Sequence, residues 1–164
     1  MQNKALALPS TEVSDIDEID ILNKTVMTIE NLTSFNRVRG TDVFFLYLSG
    51  YHNRVKQVLL KKIFNQNQSK NILYYHFGDI DPEGFYILDN LRNKTGIDFR
   101  PYRMNVENLE IYRDYTKSFE SNDIKKVESL IAVGKYFDIA TYMLKNKVKL
   151  EQEIISWMNP NVNL

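Results

Sequence analysis

The chain contains no cysteine. Disulfides and thiolate metal sites are therefore excluded, and nothing in the composition asks for an oxidising compartment. Histidine is nearly as scarce: His52 and His76 are the only two. They lack the spacing of a zinc motif, which leaves a zinc site without support. The longest uninterrupted apolar run is Val43 to Leu48, far short of a membrane span. The start "MQNKALALPS" lacks the apolar core of a signal peptide. A cytoplasmic protein with no membrane contact is the expectation. The formal net charge is zero, which argues against a protein that coats nucleic acid by bulk charge.

What is present is ordinary in amount and uneven in distribution. A chain of 164 residues, with 43% apolar and 26% charged residues, suits one soluble globular domain with a real core. Residues 1–31 hold six acids against two lysines, whereas 51–64 hold Arg54, Lys56, Lys61 and Lys62 with no acid. Neutrality thus conceals an acidic end and a basic helix.

Patterning divides the chain into three parts. Residues 1–24 read as an extended, acidic lead-in with a Leu8-Pro9-Ser10 turn. From 25 to 104, short apolar strands alternate with helices. "TVMTIE" (25–30), "DVFFLYLS" (42–49), "NILYYHF" (71–77) and "DFRPYRM" (98–104) are the strands. Between them lie a short helix stopped by Gly40, a helix over 51–66 with Val55, Val58, Leu59, Ile63 and Phe64 at helical spacing, and one opened by Pro82. From 105 to 164 the pattern predicts helices only, near 105–117, 122–133, 136–146 and 148–158. The reading is α/β: a mostly parallel four-stranded sheet flanked by helices on both faces, with a helical C-terminal extension of the same domain.

The most informative stretch is "HFGDIDPEGFYIL" (76–88), where a buried strand ends in a run of carboxylates. Ligands of an open parallel sheet gather at the carboxyl ends of its strands. Glu30 ends the first strand, and Asp79 and Asp81 follow the third. If those strands are neighbours, one cleft collects all three acids, and an oxygen-only donor set selects a hard cation such as Mg²⁺. A purely structural explanation stands beside this one. Asp81-Pro82-Glu83 is a well-formed helix start, with Asp as N-cap, Pro at the first helical position and an acid in the first turn. Capping accounts for Asp81 and Glu83 but leaves Asp79 and Glu30 unexplained.

Several other motifs fail on inspection. An EF-hand loop from Asp79 would put Gly84 correctly at position six, but Asn90 instead of Glu at position twelve, with Pro82 inside the loop. A haloacid-dehalogenase-type nucleophile would want Thr or Val where Glu83 stands. There is no phosphate-binding glycine-rich loop, and Ser49-Gly50 lacks the glycine pattern of a nucleophile elbow.

"TIEN" ending one strand, "LSGYHNR" after the next and "HFGDIDPEGFYIL" after the third together resemble a Toprim domain. The likeness is closest to the C-terminal domain of JetD-type nuclease subunits of Wadjet plasmid-defence systems. It is strongest over 25–104, and "LEQE" (150–153) is similar to a terminal motif of the same family.

The resemblance implies a metal-dependent endonuclease of Toprim type, with Glu30, Asp79 and Asp81 as catalytic and metal-binding residues. Glu83 would be a further ligand through water, and Mg²⁺ or Mn²⁺ the cofactor. Gly78 and Gly84 would allow close backbone approach, Asn31 belongs to the motif, and Glu151 and Glu153 are either site residues or a solvated helix face. DNA and SMC-type ATPase subunits are the implied partners, with pairing to a second copy an open alternative. Arg54 and Lys61, seven residues apart on one helix face, are the candidate DNA contacts; Arg92, Arg100 and Arg103 form a second, equally ambiguous cluster.

A tyrosyl-phosphate is not expected from the ten tyrosines, because in Toprim enzymes that nucleophile lies on a separate domain. Full-length relatives carry DNA-contacting regions ahead of the Toprim domain, where this chain has about two dozen residues. The expectation is an excised domain or a reduced member, with its metal site retained and little cutting alone. The alternatives are a non-catalytic interaction module, or a metal-dependent phosphatase or phosphotransferase.

Overall fold

A computed structural model describes residues 11–164. Its centre is β1 (Thr25–Ile29), buried along its whole length, as the unbroken run TVMTI requires of a strand covered on both faces. β2 (Val43–Tyr47) and β3 (Leu73–Phe77) flank it, and β4 (Arg100–Pro101) lies outside β3. The sheet order is β2-β1-β3-β4 and every pairing is parallel. In register, Thr28 faces Leu46 on one side and His76 on the other. β1 and β3 thus end side by side, and the expectation that the Glu30 and Asp79 strands are neighbours is met.

Alternation along the strands sends side chains to two cores. Met27, Ile29 and Phe77 join one, together with Val127, Leu130, Ile139, Met143 and Ile155 from the C-terminal helices. Val26, Leu46 and Tyr74 join the other, with Leu60 and Ile63 of α2 (Arg54–Gln66) and Leu88 and Leu91 of α3 (Pro82–Thr95). α1 (Leu32–Arg37) follows β1 directly, held by the Asn31 side chain, which accepts from the Ser34 N–H.

The C-terminal third departs from an all-helical reading. α4 (Val106–Ile111) is followed by a 3₁₀ turn rather than continuing to 117. β5 (Lys117–Ser118) then pairs antiparallel with β6 (Val148–Lys149), on either side of α5 (Ser121–Ala132) and α6 (Phe137–Asn146). The last helix, α7 (Gln152–Met158), begins four residues later than the periodicity predicts. The cause is Lys147, which ends α6 in the left-handed conformation (φ 54°) and turns the chain back toward the sheet. There Leu150 exchanges backbone hydrogen bonds with Ile80, at 2.8 and 3.0 Å.

The first strand-to-helix boundaries shift for a similar reason. Ser49 and Gly50 both have positive φ, so β2 stops at Tyr47 and α2 starts only at Arg54, capped by the Asn53 side chain on the Lys56 N–H. β4 is two residues long where seven were expected. The Leu8-Pro9-Ser10 turn lies outside the described residues. Residues 13–21 of the acidic lead-in lie along the basic helix: Lys62 Nζ donates to the carbonyls of Val13, Ser14 and Ile16. No described helix is long and apolar enough to cross a membrane.

Candidate metal centre

Glu30 follows β1 by one residue, and its N–H donates to the Phe77 carbonyl of β3 at 3.1 Å. That bond continues the ladder past the strand end and holds the Glu30 side chain at the cleft. Oε2 of Glu30 is buried and has no hydrogen-bond partner among the described residues. Oε2 would lie only 2.6 Å from a Cβ added to Gly78, so the glycine leaves the space the carboxylate occupies.

Asp79 and Asp81 follow β3 and line one cavity together. Oδ1 of Asp79 accepts the Gln152 N–H at 2.7 Å. Burial pushes its carboxyl up to about 7; the Gln152 bond opposes the rise, while the charges of Glu30, Asp81 and Glu151 add to it. Asp81 caps α3 as expected, accepting the Gly84 N–H at 2.6 Å. Its carboxyl is also raised, first by burial, with Glu30 contributing against the opposing Gly84 bond. Gly84 has no alternative here, since a Cβ would meet the Asp79 carbonyl at 2.3 Å.

Glu83 is turned to another task. It pairs with Lys126 of α5, and that bond draws its carboxyl below the ordinary range. Tyr51 is pushed up to about 12, by burial and then by its bond to Glu83. A structural role therefore accounts for Glu83.

Two cavities meet at Asp79. The larger, about 310 Å³, is lined by Glu30, Asn31, Thr33, Tyr47, Gly50 and Asp79. The smaller, about 80 Å³, is lined by Asp79, Asp81, Lys117, Lys149 and Glu151. Lys149 is tied to Asp123 at 2.8 Å and Glu120 at 3.2 Å, and Lys117 pairs with Glu151. Among the described residues no three His, Cys, Asp or Glu side chains form a ready-made coordination array. The donor set nonetheless suits a hard cation. All candidate ligands are carboxylate oxygens, one of them is buried without a partner, and Asp79 is crowded by like charge.

The cationic candidates separate in the same way. Arg54 and Lys61 are exposed on α2, with no ion-pair partner among the described residues. Arg92 and Arg103 instead have structural work: Arg92 donates to the Phe99 carbonyl and the Tyr136 hydroxyl, and Arg103 to the carbonyls of Asn159 and Asn161. Lys56 donates to the Leu48 carbonyl.

Sequence reasoning missed Gln152, although it singled out the glutamates on either side. Gln152 is fully buried. Its Nε2 donates to the Phe77 carbonyl at 3.0 Å, and its Oε1 accepts the Asn31 N–H at 3.1 Å. With its own N–H on Asp79, this one residue clamps the ends of β1 and β3 together. His76 was also missed. It is fully buried and stands 3.7 Å from Glu30 Oε2. Its only signal in the sequence was a polar side chain inside an apolar strand.

An all-parallel four-stranded sheet in this order, flanked by helices on both faces, is a Toprim-like α/β domain. Residues 2–162 match the family described as Wadjet protein JetD, C-terminal, and the chain belongs to that family. It is 26% identical over 138 residues to the Wadjet protein JetD of Bacillus cereus (strain Q1). That match covers 81% of this chain and 34% of the relative, so the chain spans about a third of the relative's length.

Proposed function

We propose that this chain is a Mg²⁺- or Mn²⁺-dependent DNA endonuclease domain that works within a Wadjet-type defence complex in the cytoplasm. The observation that carries the reading is the Glu30 carboxylate, which lines the same cavity as Asp79 at the ends of adjacent parallel strands and has its inner oxygen buried without a hydrogen-bond partner among the described residues. A helix-cap function explains Asp81 and an ion pair explains Glu83, but neither explains Glu30.

In this reading Glu30, Asp79 and Asp81 hold the cation, which when bound supplies Lewis-acid stabilisation of charge on the phosphodiester oxygens. Glu30 is placed to take the proton of an attacking water. The Gln152 clamp sets the spacing between the two strand ends. Arg54 and Lys61 draw the DNA backbone toward the cleft by charge alone. DNA and SMC-type ATPase subunits are the proposed partners, and a second copy of the chain is a further candidate. A non-catalytic module is the second reading, favoured by the structural employment of Asp81 and Glu83.

Calorimetric titration with Mg²⁺ or Mn²⁺ on wild type and Asp79→Asn, with nicking of supercoiled plasmid followed in the same samples, tests this. The expected result is binding that disappears in the variant. Nicking by the wild type would make the domain self-sufficient, whereas binding without nicking would place activity in the assembled complex. Absence of binding in the wild type would overturn the reading in favour of the module.

A further inference from the structure

Thr28, His76 and Glu30 form a line across the junction of β1 and β3. Thr28 and His76 face each other in the parallel register. Thr28 Oγ1 lies 2.9 Å from His76 Nδ1 and 3.2 Å from the Tyr75 carbonyl. Beyond the ring, His76 Nε2 is 3.7 Å from Glu30 Oε2. Both of those atoms are buried and without a hydrogen-bond partner.

The protons can be placed by counting. The Thr28 hydroxyl has one hydrogen and two acceptors within reach. If it goes to the Tyr75 carbonyl, Nδ1 of a neutral ring must carry the ring proton. Nε2 would then point a lone pair at a buried carboxylate oxygen, two acceptors face to face. If the hydroxyl hydrogen goes to Nδ1, along the shorter contact, the ring proton sits on Nε2. The two orphaned atoms then become donor and acceptor. Their separation in the structure is 3.7 Å, about 0.5 Å beyond the ~3.2 Å limit of a hydrogen bond, so a bond between them requires the Glu30 carboxylate to move toward the ring by that amount. Gly78 keeps the approach open, since a Cβ there would stand 2.6 Å from Glu30 Oε2 and 2.9 Å from His76 Nε2.

We infer that His76 is a positioning residue for Glu30: Thr28 fixes its tautomer, and its Nε2–H holds the inner carboxylate oxygen so that Oε1 faces the cleft. The role of the outer oxygen rests on the proposed metal-dependent function; the tautomer does not. Such a partner behind a metal-binding carboxylate typically changes affinity by about 10- to 100-fold when removed.

The test has two independent arms. Metal-free, ¹⁵N-histidine-labelled protein is measured by long-range ¹H–¹⁵N correlation, with His76→Gln identifying the His76 signals. The expected wild-type pattern is the Nε2–H tautomer, with the preference lost in Thr28→Val. An Nδ1–H pattern in the wild type, or a ring protonated on both nitrogens, would overturn the inference whatever the metal does. In the second arm, Mn²⁺ calorimetry should show affinity reduced about 10-fold or more in His76→Phe. Most of it should return in His76→Gln, whose amide N–H can stand in for Nε2–H. Equal affinities in all three proteins would also overturn the inference. Failure of the wild type to bind Mn²⁺ would end the metal-dependent reading and leave the tautomer to decide whether His76 holds Glu30. Thr28→Val keeps the test open if His76→Phe does not fold.

Discussion

The end of β1 and the end of β3 both present carboxylates to one cleft, yet they are built differently. At the β3 end every acid is engaged: Asp79 by the Gln152 N–H, Asp81 by the Gly84 N–H and Glu83 by Lys126. At the β1 end the buried oxygen of Glu30 has no described residue within hydrogen-bond reach. An acid with a cap or an ion pair to serve can be explained without a ligand. A largely buried carboxylate oxygen without a hydrogen bond carries a desolvation cost, and the nearest polar atom to this one is His76 Nε2 at 3.7 Å. The functional signal is therefore stronger at Glu30 than in the more conspicuous "GDIDPEG".

This contrast can be pressed at three points. The largest effect is expected at Asp79. Its carboxyl rises from 3.8 to about 7 on folding, on the order of 4 kcal/mol at most. The native state holds that proton more tightly than the unfolded chain, so metal-free stability falls as pH rises from about 4 to about 7 and levels off above. Asp79→Asn removes this slope while keeping an oxygen for the Gln152 N–H. The variant should match the wild type near pH 4 and exceed it at pH 8 in urea unfolding with chelator present. Equal stability at pH 8 would show that folding does not raise the Asp79 carboxyl.

Next comes Gln152→Ala, which leaves the Asn31 N–H and the Phe77 carbonyl without their buried partner. A loss of about 2 kcal/mol is expected, accompanied by weaker Mn²⁺ binding, because the two strand ends are no longer held in step. Stability lost with affinity intact would confine the clamp to folding. The smallest change in stability, on the order of 1 kcal/mol, should come from Gly78→Ala. The added methyl meets the Glu30 carboxylate and the edge of the buried His76 ring, and not backbone. Yet it should abolish most Mn²⁺ affinity by displacing the Glu30 carboxylate. A Gly78→Ala protein that binds as well as wild type would remove Glu30 from the site.

Much of this architecture could be read without coordinates. β1 and β3 declare themselves by short runs rich in apolar, β-branched and aromatic residues, and α3 by its Asp-Pro-Glu start and the Gly96 stop, observed at φ 76°. Glu30, Asp79 and Asp81 were legible because strand ends are where a parallel sheet collects ligands. The errors fall where local pattern and tertiary contact disagree. Residues 148–151 carry helical periodicity, but pairing with β5 and the Ile80 backbone takes their N–H and C=O groups instead. Arg92 and Arg103 read as a basic cluster, whereas neighbouring carbonyls claim them.

What the order of residues determined by itself was periodic or adjacent in the chain: which segments are buried, where helices cap, and that three acids stand at strand ends. Only the tertiary structure decided that Gln152 clamps those ends from more than a hundred residues away from Asn31. It likewise set His76 behind Glu30 rather than leaving it as a polar defect in the core. The physical reason is that periodicity encodes burial, a property of each segment alone. Hydrogen-bond partnership depends on which segments the sheet register and the packed C-terminal helices bring within three ångströms of one another.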